Sequence, residues 1–259
     1  MLRRVLSLAP FLSTLLLGAL ALPAQAGMPW RVCLAEGAVP DASAGREPDP
    51  VERLLLDAGR QVGLSVQFTH APPARCQAAL ERGDVDAGLA MPSQRSQQLF
   101  SFPRAGGQID SRRHLLRVRF LLLKRSDSPL GWDGRTFESQ GGPPPTLGTQ
   151  KGYNAVLEWA DELGVAVDHG AKSLRQLTEM LQRGRFDLVA AMDRELQRAA
   201  PAALQGLTVL DAPLLNQEIF AVVNREVHQR HAARVQAWWD ALGQMHNMAP
   251  YRSRGPDQP

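Results

Sequence analysis

Cysteine is scarce in this sequence: Cys33 and Cys76 are the only two in 259 residues. The six histidines are scattered, and none falls at ligand spacing with a cysteine, so neither a zinc site nor any other cofactor is expected. An excess of one charge is also missing, with 29 Lys and Arg against 26 Asp and Glu. Aromatic residues make up 6% of the chain and are nowhere interleaved with a basic run, so the footprint of a nucleic-acid binder is absent. Beyond residue 26 no second long apolar run occurs, and no membrane insertion of the mature chain is expected.

The one long apolar stretch, Val5 to Leu22, follows Arg3 and Arg4 and precedes Ala24-Gln25-Ala26. That order of basic, apolar and small residues is the pattern of a secretory signal, here cleaved after Ala26. Pro10, Ser7 and Ser13 inside the stretch argue against a retained anchor. No cysteine stands at the start of the mature chain, so a lipid-modified amino terminus is not expected. Export also changes the meaning of the two thiols. In an oxidising compartment an isolated pair usually forms one bridge, which here would tie Cys33 in the first strand to Cys76 at the start of a helix.

The residues that are abundant are arranged twice. LERGDVDAGLAM, Leu80 to Met91, returns as LQRGRFDLVAAM, Leu181 to Met192, with six positions identical and no gap. Each copy has the grammar of a helix end, a glycine stop, an acidic turn residue and a short apolar strand. Two copies about a hundred residues apart are too distant for a solenoid, whose repeats run roughly 20 to 50 residues, and fit two similar α/β lobes. Ligands of open α/β sheets sit beyond the carboxyl ends of the strands. Pro92, Ser93, Gln94 and Arg95 after one copy, and Asp193, Arg194 and Glu195 after the other, are therefore the first residues to examine.

Taken in order, the mature chain alternates strand and helix. Trp30–Glu36 is expected as a strand, Val51–Val62 as an amphipathic helix stopped by Gly63, Leu64–Thr69 as a strand, and His70–Ala74 as a proline turn before the first repeat unit. Leu115–Lys124 is the longest β-like run and a candidate crossing between lobes. Asp127–Pro145 is turn-rich. Thr146–Gln150, Asn154–Leu163 and Val165–Val167 lead into the second unit, Glu218–Asn224 is a strong strand returning to the first lobe, and His231–Met245 is helical with Trp238 and Trp239 as core anchors. The expected division is residues 1–26 signal peptide, 27–118 first lobe, 119–214 second lobe, 215–249 return segment and 250–259 a disordered tail.

This succession resembles the bacterial extracellular solute-binding proteins of family 3, the polar amino-acid type. The matching residues are Leu80, Gly83, Asp86, Arg95 and Phe100 to Pro103 in the first half, and Gly148-Thr149-Gln150-Lys151-Gly152-Tyr153 with Leu181, Gly184 and Asp187 in the second. A closer likeness is to a branch with a cysteine in its first strand, here Cys33, a Pro-Trp-x-Arg-Cys segment, answered here by Pro72-Pro73-Ala74-Arg75-Cys76, and a Trp-Asp-Gly turn, here Trp132 to Gly134. The resemblance implies an α/β fold of the periplasmic-binding-protein kind: two similar lobes, a hinge and an interlobe cleft. It implies a periplasmic monomer that captures a small solute for an inner-membrane ABC permease. It assigns the solute's carboxylate to Arg95, helped by Ser93 and backbone amides at the adjoining helix start, a chemistry that guanidinium and helix termini both favour.

Departures from the family pattern are equally specific. The family's ammonium-binding aspartate belongs five residues after Asp187, where Met192 stands; Asp193 is one further, and one residue along a strand reverses the face. Pro73 stands where the branch has tryptophan, and Tyr153 replaces a threonine, as a new wall or as a plug. Three functions follow: a receptor for a small, carboxylate-bearing, amino-acid-like solute, a non-transport partner or sensor with a degenerate cleft, and, as the weakest, an enzyme such as a dehydratase using Asp193 and Glu195. Glu195 is otherwise expected at a solvated helix start.

Overall fold

The computed structural model describes residues 29–35, 47–138 and 142–251. The leader and its cleavage site, most of the loop before Pro50 and the tail beyond Tyr251 lie outside the described residues. Eight principal strands are β1 (Trp30–Ala35), β2 (Val66–Ala71), β3 (Ala87–Ala90), β4 (Leu116–Arg125), β5 (Leu147–Gln150), β6 (Val167–Ala171), β7 (Leu188–Met192) and β8 (Leu215–Asn224). The helices are α1 (Pro50–Gln61), α2 (Pro73–Arg82), α3 (Gln94–Leu99), α4 (Asn154–Glu162), α5 (Leu174–Gln182), α6 (Asp193–Arg198), α7 (Arg225–Arg230) and α8 (Ala232–Met245). The strands form one curled sheet in the order β6-β5-β7-β4-β8-β3-β1-β2.

The sequence repeat is a repeat of structure. Strand β1 runs parallel to β3 with Val32 beside Ala87 and Cys33 beside Gly88, and β5 runs parallel to β7 with Leu147 beside Leu188 and Gly148 beside Val189. Gly83 and Gly184 both take the left-handed conformation that ends a helix, at φ 77° and 70°. The duplicated aspartates repeat one another's bonds. Asp86 accepts from the Arg31 amide at 2.8 Å, and Asp187 from the Thr146 amide at 2.9 Å and the Thr146 hydroxyl at 2.8 Å. Each carboxylate holds the start of the strand beside it.

Two ten-residue strands join the halves. Leu116–Phe120 of β4 pairs antiparallel with Leu215–Ile219 of β8, while Phe120–Lys124 continues onto β7 and Phe220–Val223 onto β3. The two strands thus tie the ends of the sheet together, each pairing with its own half along one part and with the other crossing strand along the rest. The largest buried cluster is continuous across them, from Leu34 and Leu55 through Phe120 and Ile219 to Leu147 and Leu188. A smaller cluster around Cys33, Phe102 and Phe220 belongs to one half, and another around Leu177, Leu181 and Phe186 to the other.

Local chemistry explains the boundaries. Asp49 caps α1 by accepting from the Val51 amide at 2.9 Å, and Glu52 reaches back to the Asp49 amide at 2.7 Å, a reciprocal pair that sets the helix start at Pro50. The expected proline turn at His70–Ala74 is shorter: β2 continues to Ala71 and Pro73 opens α2, because a missing N–H costs nothing in a first helical turn. The strand expected at Val165–Val167 lies at Val167–Ala171 instead, set by its pairing with β5. Trp238 and Trp239 are buried; Trp238 meets Trp30 edge-on at 5.5 Å and the Trp239 indole donates to the Ala221 carbonyl at 2.8 Å. Order extends past Pro250, since Ala249–Tyr251 forms a short turn and the Tyr251 hydroxyl donates to Asp57 at 2.7 Å. Cys33 and Cys76 form a disulfide with Cα atoms 5.4 Å apart.

Candidate functional site

The carboxyl ends of β3 and β7 face one another across the crossing strands. Between them lies a cavity of about 60 Å³ with Leu89, Met91 and Ser96 on one side, Gly152, Tyr153 and Met192 on the other, and Ile219 from β8. That is room for a few waters at most, against the roughly 300–1,000 Å³ of an ordinary ligand pocket. Its walls are largely apolar. Outside it, and sharing Gln77, Gly152 and Asn154, is an open groove of about 330 Å³ that carries Glu81, Arg95, Lys151 and His169.

Arg95 lies on this outer groove and is exposed. Inside, Ser96 is the α3 residue that reaches the cavity, because successive residues of a helix point about 100° apart. Ser93 is the buried N-cap of α3: its Oγ accepts from the Ser96 amide at 3.0 Å, and its own amide donates to the Ser96 Oγ at 2.9 Å. The Ser96 hydroxyl in turn lies 2.8 Å from the Met91 carbonyl. These hydroxyls are engaged in shaping the turn after β3.

The free amides at the start of α3 have a partner from the other half of the molecule. Glu158 of α4 accepts from the Gln94 amide at 2.9 Å and from the Arg95 amide at 3.1 Å. Nearby, the Gln77 side-chain amide donates to the Gly152 carbonyl at 2.6 Å, again from one half to the other. Gly152 has φ 106°, and a Cβ there would press on the backbone of Pro73 and Ala74. Only glycine allows this approach. A further bridge joins Arg198 to Asp49 at 3.6 Å.

Asp193 and Tyr153 are both buried, and each is already bonded. Asp193 opens α6 and accepts from Arg119 of β4 at 3.2 Å and from the Arg194 amide at 2.8 Å. Met192 lines the cavity in its place, as alternation along β7 requires. The Tyr153 ring packs edge-on to Phe120 at 5.3 Å, and its hydroxyl donates to Glu195 at 2.8 Å. Glu195 is not solvated: it is buried and also accepts from Gln150 at 2.7 Å and from the Met192 amide at 3.3 Å. Burial pushes its carboxyl above the ordinary value despite the donors from Tyr153 and Gln150 that hold it down. Burial and the neighbouring carboxylate push the Tyr153 phenol well above its own.

The structure thus brings Tyr153 to the cavity wall, leaves Arg95 on the outer groove, and sets Ser93 and Asp193 into supporting bonds. The residues that sequence reasoning missed are Glu158, Gln77 and Ser96. Ser96 had a signal, one helical residue beyond Arg95. Glu158 had none, since only the approach of α4 to α3 gives it a role. Among the described residues no group of three or more His, Cys, Asp or Glu is placed to hold a metal, and no helix is long and apolar enough to cross a membrane.

No protein-family model and no curated protein matches the chain. Solved structures do. The chain is similar to a histidine kinase sensor domain described as resembling periplasmic binding proteins, with TM-score 0.64, 15% identity, and coverage of 86% of this chain and 92% of that one. The fold is that of the periplasmic binding proteins. Similar structures with this fold include an ArgBP mutant from T. maritima, with TM-score 0.60, 16% identity and coverage of 86% and 91%. Another is an ABC uptake transporter substrate-binding protein from Streptococcus pneumoniae with bound histidine, with TM-score 0.61, 12% identity and coverage of 85% and 87%. Two lobes of periplasmic-binding-protein type, joined by β4 and β8, therefore frame the cavity and its outer groove.

Proposed function

We propose that this chain is an exported receptor of the family 3 kind, released from its leader after Ala26, that takes a small carboxylate-bearing solute between its lobes. One observation carries the reading. A cavity walled from both lobes shares Gln77, Gly152 and Asn154 with a groove bearing Arg95 and Lys151, and the crossing strand β8 contributes Ile219 to its wall. The solute's carboxylate meets Arg95, and its apolar body points toward Met91, Met192 and Tyr153. The division into lobes near 118/119 and 214/215 places the hinge in β4 and β8. Delivery to an inner-membrane ABC permease is the role that the family resemblance adds.

The apolar inner wall shapes the choice of solute. Asp193 is paired with Arg119, Met192 faces inward, and among the described residues no carboxylate lines the cavity to meet an ammonium group. Aliphatic monocarboxylates fit better than zwitterionic amino acids. Thermal-shift measurements across both classes test this. A ligand at a hundredfold its Kd stabilises by about 2.7 kcal/mol, and Arg95→Ala should abolish the shift. The alternative, a non-transport partner or sensor protein, draws on the smallness of the cavity. Silence across the whole panel would favour it and sink the receptor.

A further inference from the structure

The two lobes are held together by the chain's own groups at the place where a solute would hold them. Glu158 on α4 of one lobe takes both free amides at the start of α3 on the other, at 2.9 and 3.1 Å. Carboxylate bonds to amides are charge-assisted and stronger than neutral ones. The Gln77 bond to the Gly152 carbonyl at 2.6 Å lies beside it, at the boundary between cavity and groove. Gly152 brings the backbones of the two lobes close enough for both. None of these contacts requires a ligand.

We propose that Glu158 and Gln77 form a solute-independent latch that keeps the interlobe cavity closed. In a hinged binding protein without such contacts the resting population is set by the hinge alone, and a solute closes the lobes by bonding to both. Here an internal carboxylate does the bonding, so the closed form dominates before any solute arrives. The latch has a consequence that rests on the receptor reading. If only the unlatched form admits a solute, apparent affinity falls by the fraction unlatched, and Glu158 becomes the residue that sets it.

The test uses the mature chain and three variants. Glu158→Ala alone, and combined with Gln77→Ala, should raise the radius of gyration in X-ray scattering above the roughly 17 Å of a compact chain this long. Amide exchange at Gln94 and Arg95 should quicken at least about tenfold in both. Glu162→Ala removes an exposed charge from the same helix and should change neither. Circular dichroism establishes that each variant is folded; should Glu158→Ala fail to fold, Glu158→Gln, which keeps the volume and weakens the acceptor, takes its place. Faster exchange with an unchanged radius of gyration would overturn the latch, since the contact would then exist without holding the lobes. A panel of aliphatic carboxylates added to Glu158→Ala separates the two ideas. An opened variant that no carboxylate stabilises leaves the latch standing and removes the receptor.

Discussion

Tyr153 donates its hydroxyl to Glu195 at 2.8 Å beneath the interlobe cavity, and both groups are buried. The carboxyl therefore has two opposed influences: enclosure favours its neutral form, while the donors from Tyr153, Gln150 and Met192 favour its charge.

The pH dependence follows from the sign of that balance. A carboxyl whose folded pKa is raised above the unfolded 4.5 contributes stability that is complete below 4.5 and is lost as pH rises through the folded value. Urea midpoints measured from pH 4.5 upward should show this decline in the wild type and lack it in Glu195→Gln. Tyr153→Phe removes a donor that favours the charged form, which raises the folded pKa further. It should cost about 1–3 kcal/mol, more at pH 8 than at pH 5. Equal cost at the two pH values would mean that the hydroxyl acts by packing alone.

Asp86 and Asp187 give a second prediction, because the duplication assigns them one job. Each accepts bonds at the start of the neighbouring strand, from Arg31 and from Thr146. Asp86→Ala and Asp187→Ala should each destabilise by about 1.5–3 kcal/mol, the range for hydrogen bonds to a charged group, and neither should alter binding of any carboxylate. Chemical denaturation read beside the thermal-shift panel checks both halves of the statement.

That pair also marks how far the sequence could be read. The repeated LxRGxxDxxxAM phrase exposed the two-lobe plan because its residues act within eight positions of one another: helix end, left-handed glycine, strand start. The Cys33–Cys76 bridge was legible because only two thiols exist. The cavity was not. Its size depends on whether α3 and α4 meet, and no local pattern encodes the distance from Glu158 to the Gln94 amide. Arg95 and Ser96 differ by one residue, yet one lines the outer groove and the other the cavity, a rotation about a helix that spacing alone cannot phase.

The last prediction concerns what the duplication changed. Cys33 and Gly148 occupy equivalent places beside β3 and β7, and Val85 and Phe186 occupy equivalent places in the two phrases. The second lobe has therefore exchanged a larger residue for glycine on the strand and gained a phenylalanine beside it. A Cβ at Gly148 would overlap the Phe186 ring, which is buried. Gly148→Ala should destabilise by about 1–3 kcal/mol through overpacking. Phe186→Leu alone should also destabilise, by opening a void. Together they should cost less than the sum, by clearly more than the roughly 0.5 kcal/mol within which independent sites add, because the shorter side chain leaves room for the added methyl. A double-mutant cycle in urea measures the coupling. Strict additivity would show that glycine is required at this strand for its backbone, and that the ring beside it is incidental.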